Sequence, residues 1–197
     1  MKNEIKRIFE RNHGIATAKE IKQGGFYYPI INRLLQEGTI TRLKQGYYQW
    51  VAEKEPDEIS IIVRLFPDGV LCMDTALFYY GYSDRTPAGW HIAVSKDSSK
   101  TRFKLDYPFV KPYFIEPSCL KIGAVSEEMD GITVKIYDRE RVICDCLRYS
   151  SKIDKEIFNK AILVYVSDNK KNIRNLIEYA KRFNVYKKMQ TWIGVWL

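Results

Sequence analysis

The chain has 197 residues, 46% hydrophobic and 28% charged, which is enough for two compact domains with buried cores. Its longest apolar run is six residues, Ala161 to Val166, too short for a membrane span, and the charged N-terminus lacks the apolar region of a signal peptide, so a cytoplasmic location is expected. Lys and Arg number 32 against 24 Asp and Glu, a net charge of +8; this favours a polyanionic partner, although ordinary solubilising charge on a small domain is about 2 to 8.

Ile5, Ile8 and Phe9 recur at helical spacing from Asn3 to Asn12, where His13-Gly14 stops the run. Thr17 with Glu20 three residues on has the form of a capping box opening a helix Ala18 to Gln23, which Gly24-Gly25 ends. Pro29 suits the first turn of a third helix reaching Glu37, with Ile30, Ile31, Leu34 and Leu35 as its apolar stripe and Gly38 as its stop. A β-prone run Thr39–Leu43, a Lys44-Gln45-Gly46 turn and a returning run Tyr47–Val51 read as a hairpin. Helices joined by a Gly turn and followed by a hairpin give the order of a winged helix-turn-helix, whose third helix enters the major groove.

The polar stretch Ala52-Glu53-Lys54-Glu55-Pro56-Asp57 marks a domain boundary, giving an N-terminal domain 1–56 and a C-terminal domain 57–197. In the second domain a helix is expected over Asp57–Phe66 and a short one from Asp74 or Thr75 to Tyr80. Strands are expected at Trp90–Ser95, Tyr107–Val110, Tyr113–Glu116 and Ile132–Tyr137, forming a sheet of about four strands. Helices at Arg139–Tyr149, Lys155–Val166, Ile173–Phe183 and Val185–Trp192 close the chain. The fold class is therefore α+β, a winged helix-turn-helix followed by a mixed α/β domain with a central sheet and closing helices.

Charge is uneven along this plan. Residues 1–56 hold ten Lys and Arg against six Asp and Glu, residues 57–147 hold eleven against fourteen, and residues 148–197 hold eleven against four. On the third helix, Asn32, Arg33 and Gln36 face away from the apolar stripe and are residue types that pair with adenine or guanine edges. Tyr27 and Tyr28 at its start reach phosphate or a thymine methyl, the hairpin brings Arg42, Lys44 and Gln45 over the backbone or minor groove, and Thr17 and Lys19 add phosphate contacts. Solvated polar positions of a small protein-binding subdomain are the plainer alternative. The C-terminal Arg148, Lys152, Lys170, Lys171, Arg174, Lys181 and Arg182 fit a second DNA-contacting surface, a solvated helical face or a dock for an acidic partner equally well.

Catalytic and metal signatures are missing. There is no Walker A, His-Glu-x-x-His or Gly-x-Ser-x-Gly pattern, and Cys144-Asp145-Cys146 has the wrong spacing for a zinc knuckle. No Glu-x-Lys of nuclease type follows residue 55, Asp138-Arg139-Glu140-Arg141 reads as the charged opening of a helix, and His91 reads as a packed histidine. The four Cys, at 72, 119, 144 and 146, read as reduced and mostly buried thiols. No enzyme activity, metal or cofactor is expected.

The blocks Gly14-Ile15-Ala16-Thr17-Ala18-Lys19-Glu20-Ile21, Leu34-Leu35-Gln36-Glu37-Gly38-Thr39-Ile40 and Arg42-Leu43-Lys44-Gln45-Gly46-Tyr47-Tyr48 resemble the N-terminal winged helix of the abortive-infection type IV antitoxins, the AbiEi-like proteins. Downstream, Asp74-Thr75-Ala76-Leu77-Phe78-Tyr79-Tyr80-Gly81-Tyr82-Ser83, His91-Ile92-Ala93-Val94 and Asp138-Arg139-Glu140-Arg141-Val142-Ile143-Cys144-Asp145-Cys146-Leu147 extend the likeness over most of the chain. The chain departs from the family in having Tyr where a His-Gly pair is common near Gly81 and Val142 where Thr is usual. The resemblance implies a bacterial antitoxin that represses its own operon by binding inverted repeats in the promoter double-stranded DNA. It also implies a functional pairing with a nucleotidyltransferase-type toxin without a stable complex. The alternatives are an orphan winged-helix regulator without a toxin partner and a nuclease fused to a DNA-binding domain, the latter disfavoured by the absent carboxylate and lysine pattern.

Overall fold

The structure is a computed structural model that describes residues 2–52 and 56–196. It is a mixed α+β chain with two sheets, divided into two compact units. The first runs to Pro67 and includes Lys104–Phe109; the second comprises Asp68–Phe103 and Val110 onward. Of the expected boundary stretch, Glu53, Lys54 and Glu55 lie outside the described residues.

In the first unit, α1 (Lys2–Glu10) is followed by β1 (Ile15–Thr17), α2 (Ala18–Gln23), α3 (Tyr28–Gln36), β2 (Ile40–Lys44), β3 (Tyr47–Trp50) and α4 (Glu58–Leu65). The expected helices and hairpin are present, and β1 is an addition. Its three residues are too few to show alternation; they become a strand because β3 offers an antiparallel edge, pairing Ile15 with Gln49 and Thr17 with Tyr47. The sheet order is β1-β3-β2, with a bulge between Arg42 and Lys44. At the hairpin tip Gly46 holds φ 79°, where a side chain would be strained. The capping box at Thr17 forms in full: its Oγ1 accepts from Glu20 N–H at 3.2 Å, while Glu20 Oε2 accepts from Thr17 N–H at 2.8 Å.

Ile5 and Phe9 of α1, Ile21 of α2, Ile31 and Leu34 of α3, and Ile40, Tyr48 and Trp50 of the hairpin bury one core. Phe9 and Trp50 pack with ring centroids 5.4 Å apart. Emptying such an aromatic site typically costs about 3–5 kcal/mol. Helix α4 is tied to α2 through Arg64, whose Nη2 lies 2.6 Å from both Glu20 carboxylate oxygens.

The second unit carries β4 (Val70–Leu71), α5 (Met73–Tyr79), β5 (Trp90–Ser95), β6 (Val110–Ile115), α6 (Pro117–Leu120), β7 (Ala124–Met129), β8 (Ile132–Tyr137), α7 (Arg139–Arg148), α8 (Lys155–Ser167), α9 (Ile173–Arg182) and α10 (Tyr186–Trp192). Its sheet has five strands in the order β6-β5-β4-β8-β7, parallel at β5–β6 and β4–β8 and antiparallel at β4–β5 and β7–β8. Two expectations need correction. Tyr107–Val110 is not a strand: only Val110 joins a ladder, as the first residue of β6, because Pro108 has no N–H to donate. Tyr113–Glu116 is in turn part of that one strand, β6, up to Ile115, and Pro112 is tolerated because β6 lies at the sheet edge.

Helix α7 packs against α5, α8, α9 and α10, and every residue from Glu140 to Leu147 is buried. Asp138 caps it, accepting from Arg141 N–H at 2.8 Å, as a charged helix opening should. Glu140 and Arg141, however, point inward rather than to solvent. Arg141 Nε lies 3.2 Å from both oxygens of Asp145, and its Nη1 donates to the carbonyls of Cys119 and Ile122 at 2.8 and 2.7 Å. Its guanidinium sits between the rings of Tyr137 and Phe183, 4.1 and 4.0 Å from their centroids. Gly123 makes room for this arrangement: a Cβ there would come within 2.6 Å of Arg141 Cβ. Glu140 accepts from the Asn172 N–H at 2.7 Å and from the Tyr165 hydroxyl at 3.3 Å. All four cysteines are unpaired thiols, three of them buried.

Candidate nucleic-acid interface

Helix α3 divides by face. Ile31 and Leu34 enter the core, while Arg33 and Gln36 are exposed and Asn32 is half-buried. Tyr27, at the cap position, and Tyr28, the first helical residue, are 61% and 60% exposed, unusual for large aromatic rings with no structural demand to face water. Arg33 Nε is 3.8 Å from Glu37 Oε1 one turn on, a loose surface pair that costs little to break. The tight connection at Gly24-Gly25 leads the chain from α2 into α3, with Phe26 N–H donating to the Ile21 carbonyl at 3.1 Å and the Phe26 ring entering the core.

The hairpin contributes unequally. Arg42 and Gln45 are exposed, and the Arg42 guanidinium lies 5.8 Å from the Tyr48 ring centroid. Lys44 is half-buried: its Nζ stands 4.6 and 4.8 Å from the ring centroids of Tyr47 and Phe66 and donates to the Leu65 carbonyl at 3.4 Å. Lys19 is exposed on α2, whereas Thr17 is half-buried and committed to capping. Burial works to raise the Glu20 pKa, but the Arg64 hydrogen bond and the Thr17 backbone and side-chain bonds outweigh it and hold the carboxyl below its ordinary 4.5.

The basic residues of the second unit are spread over three cavities and a turn. Arg174, Lys181 and Arg182 border a cavity of about 720 Å³ together with Ile177 and Glu178 of the same helix. Arg148 and Arg182 meet across a second cavity, Lys152 lines a third, and Lys170 and Lys171 sit in the turn between α8 and α9. Lys171 Nζ donates to the Asp168 carbonyl at 3.3 Å.

Residues 3–50 match the family model described as a transcriptional regulator, AbiEi antitoxin. The N-terminal segment is AbiEi-like. A search of curated proteins gives no match. Among solved structures the chain resembles the RV2827C protein from Mycobacterium tuberculosis at 14% identity and a TM-score of 0.65, over 90% of this chain and 69% of that one. A likeness at that identity speaks to fold alone.

A regulator family implies DNA as the partner of the AbiEi-like segment. Within it the structure places Tyr28, Asn32, Arg33 and Gln36 on α3 with Tyr27 at its cap, and Arg42, Lys44 and Gln45 on the β2–β3 hairpin, with Thr17 and Lys19 at the start of α2. Outside it, His91 is buried; its Nδ1 lies 3.3 Å from the Asp74 N–H and 3.2 Å from the Tyr113 hydroxyl, and its own N–H donates to Thr75 Oγ1 at 2.9 Å. Burial pushes its pKa below 6.5 against the pull of Asp74. Among the described residues, no group of three or more His, Cys, Asp or Glu is placed to hold a metal ion, and no helix is long and apolar enough to cross a membrane. Lys111, Tyr113, Phe114 and Tyr149, which line cavities with Arg148 and Lys152, escaped sequence reading because they come together only through the pairing of β6 and the position of the α7 end.

Proposed function

We propose that the chain is the antitoxin of a type IV toxin-antitoxin system in abortive phage infection and represses its own operon by binding inverted repeats in the promoter. In this reading residues 1–56 form a winged helix-turn-helix and residues 57–197 carry the antitoxin function against a nucleotidyltransferase-type toxin, acting in the cytoplasm without a stable complex. The observation that carries the DNA-binding half is the exposed, polar and aromatic face of α3, set on a buried core beside the β2–β3 hairpin, in a segment matched by the AbiEi regulator family.

Arg33 and Gln36 would read base edges in the major groove, Asn32 would contribute from its half-buried position, and Tyr27 and Tyr28 would meet phosphates or thymine methyls. Arg42 and Gln45 are the accessible contacts of the wing. Lys44, packed against Tyr47 and Phe66, holds the wing in place as much as it contacts DNA. Thr17 acts through the helix start that presents Lys19.

Competitive mobility shift of the full chain on its own upstream DNA tests the proposal. Arg33→Ala is expected to cost about 1–3 kcal/mol and to relax preference at one base position. An equal loss on every sequence would make Arg33 a phosphate contact and overturn its reading role.

A further inference from the structure

The start of β5 and the strand paired with it gather polar side chains on one face of the second sheet. In the parallel register of β5 and β6, His91 pairs with Lys111 and Ala93 with Tyr113, so His91, Lys111 and Tyr113 project to the same side. Asp74 comes to them from α5, and Lys152 and Ile153 from the connection between α7 and α8. With Ile157 of α8, the side chains of Asp74, Lys111, Tyr113, Lys152 and Ile153 line a cavity of about 350 Å³, at the small end of ligand pockets. Met73, just before Asp74, is held at φ 44°, a strained conformation of the kind that collects at ligand sites.

The groups of this cavity are sorted by hydrogen-bonding role. His91 lies buried behind it, in contact with Asp74 and Tyr113. Its Nδ1 accepts from the Asp74 N–H at 3.3 Å, which makes Tyr113 the donor in the 3.2 Å contact of its hydroxyl with the same nitrogen and leaves the lone pairs of the Tyr113 oxygen open. Asp74 Oδ2 stands 3.7 Å from His91 Nε2, beyond hydrogen-bond distance, and among the described residues the Asp74 carboxylate accepts no hydrogen bond. Two acceptors therefore border the cavity without donors. Lys111 and Lys152, by contrast, are exposed cations, and among the described residues neither lies within ion-pair distance of a carboxylate. The remaining acid at the cavity, Asp154, is engaged otherwise: it pairs with Arg85 at 3.4 Å and accepts from the N–H groups of Glu156 and Ile157.

An occupant that satisfies these groups is bipolar, anionic where the lysines stand and rich in hydrogen-bond donors at Asp74 and Tyr113. A bare anion meets the Asp74 charge, and a neutral polyol leaves both lysines unused. Two ammonium groups from separate elements suit a dianionic phosphate better than a single carboxylate. Neighbouring hydroxyls suit an open carboxylate, the pairing by which an acidic side chain holds ribose in dinucleotide sites. We propose that this cavity binds a small phosphorylated sugar, free or carrying a base, with its phosphate on Lys111 and Lys152 and its hydroxyls donating to Asp74 and the Tyr113 oxygen. The half-buried Ile153 and Ile157 supply the apolar wall. The site stands independently of the operator reading, which concerns the other unit.

The chain has two histidines, His13 in the first unit and His91 behind the cavity. The test is therefore heteronuclear NMR of the imidazole resonances of the full chain, titrated separately with ribose phosphate, adenosine monophosphate, ribose and inorganic phosphate. At least one of the two phosphorylated sugars is expected to move the His91 resonances saturably and to leave those of His13 in place, and the tighter of the two tells a free sugar phosphate from a nucleotide. Ribose and inorganic phosphate, each offering half of the required groups, are expected to bind about tenfold more weakly or worse. Lys111→Gln with Lys152→Gln is expected to weaken binding of the phosphorylated sugar about tenfold or more, whereas Lys170→Gln with Lys187→Gln, the same charge change elsewhere, should leave it unaltered. Asp74→Asn, which keeps the side chain's shape, is expected to lower the preference for the phosphorylated sugar over inorganic phosphate about fivefold or more. Absence of a saturable His91 shift with either phosphorylated sugar, inorganic phosphate binding as tightly as both, wild-type affinity in the Lys111 and Lys152 variant, an equal loss in the Lys170 and Lys187 variant, or an unchanged preference in Asp74→Asn would each overturn the proposal.

Discussion

Helices α3 and α7 use polar residues in opposite ways. Helix α3 buries Ile31 and Leu34 and leaves Arg33 and Gln36 exposed, with Arg33 Nε 3.8 Å from Glu37 Oε1. Helix α7 buries Glu140, Arg141 and Asp145 among apolar neighbours, where Arg141 is fully enclosed by a carboxylate, two carbonyls and two rings. The polar face of α3 is therefore exposed to a partner, and the charges of Glu140, Arg141 and Asp145 on α7 are consumed by the fold. The charge-rich Asp138-Arg139-Glu140-Arg141 block is a packing device, and its lesson is that a cluster of ionisable residues marks a binding face only where solvent reaches it.

Arg141→Ala breaks this comparison most severely. It would strand Asp145, whose pKa burial already raises against the opposing Arg141 charge, and it should destabilise the second unit by about 3–5 kcal/mol in urea unfolding. Replacing Arg141 and Asp145 together by Met and Leu should recover much of that loss, whereas Arg33→Ala on α3 should stay within about 0.5 kcal/mol of wild type. Gly123→Ala places a Cβ 2.6 Å from Arg141 Cβ at a φ of 75° and should cost about 1–3 kcal/mol in the same assay. Thr17→Ala removes the α2 cap in the first unit and is expected to lower stability by about 0.5–2 kcal/mol, visible as an earlier melting transition.

The smallest expected effect is on pH dependence. The Glu20 carboxyl has a folded-state pKa below its ordinary 4.5, so its contribution is present above the unfolded value and is lost as pH falls from about 4.5 through the lower folded value. Glu20→Gln should flatten the stability profile in that acidic window and leave its slope at neutral pH unchanged. An unaltered acid slope would show that the Arg64 and Thr17 contacts do not stabilise the ionised form.

Much of the first unit was legible because its signals are local. The Thr17 and Glu20 capping box, the Gly24-Gly25 stop, Pro29 at a helix start and the β2–β3 turn each fix a boundary within four residues. Strand β1 was not, since three residues become a strand only through pairing with β3, thirty or more positions away. In the second unit β4 is two residues long, and β7 carries Glu127 and Glu128 at a sheet edge, so neither shows the apolar alternation that signals a strand. The α3 face followed from helical periodicity. The cavities of the second unit had no such signal, because Arg148 and Arg182 in one, and Lys111 and Lys152 in another, are brought together by tertiary packing alone.

The central claim, that the exposed face of α3 reads DNA, is tested most directly by titrating the full chain against its own upstream DNA over a range of salt concentrations with random duplex as competitor, for wild type and Arg33→Ala. The account predicts a wild-type preference for the upstream sequence that persists as salt rises, and a variant that keeps its stability while losing that preference. Wild-type binding that random DNA competes away equally, or an Arg33→Ala variant with undiminished preference, would contradict it.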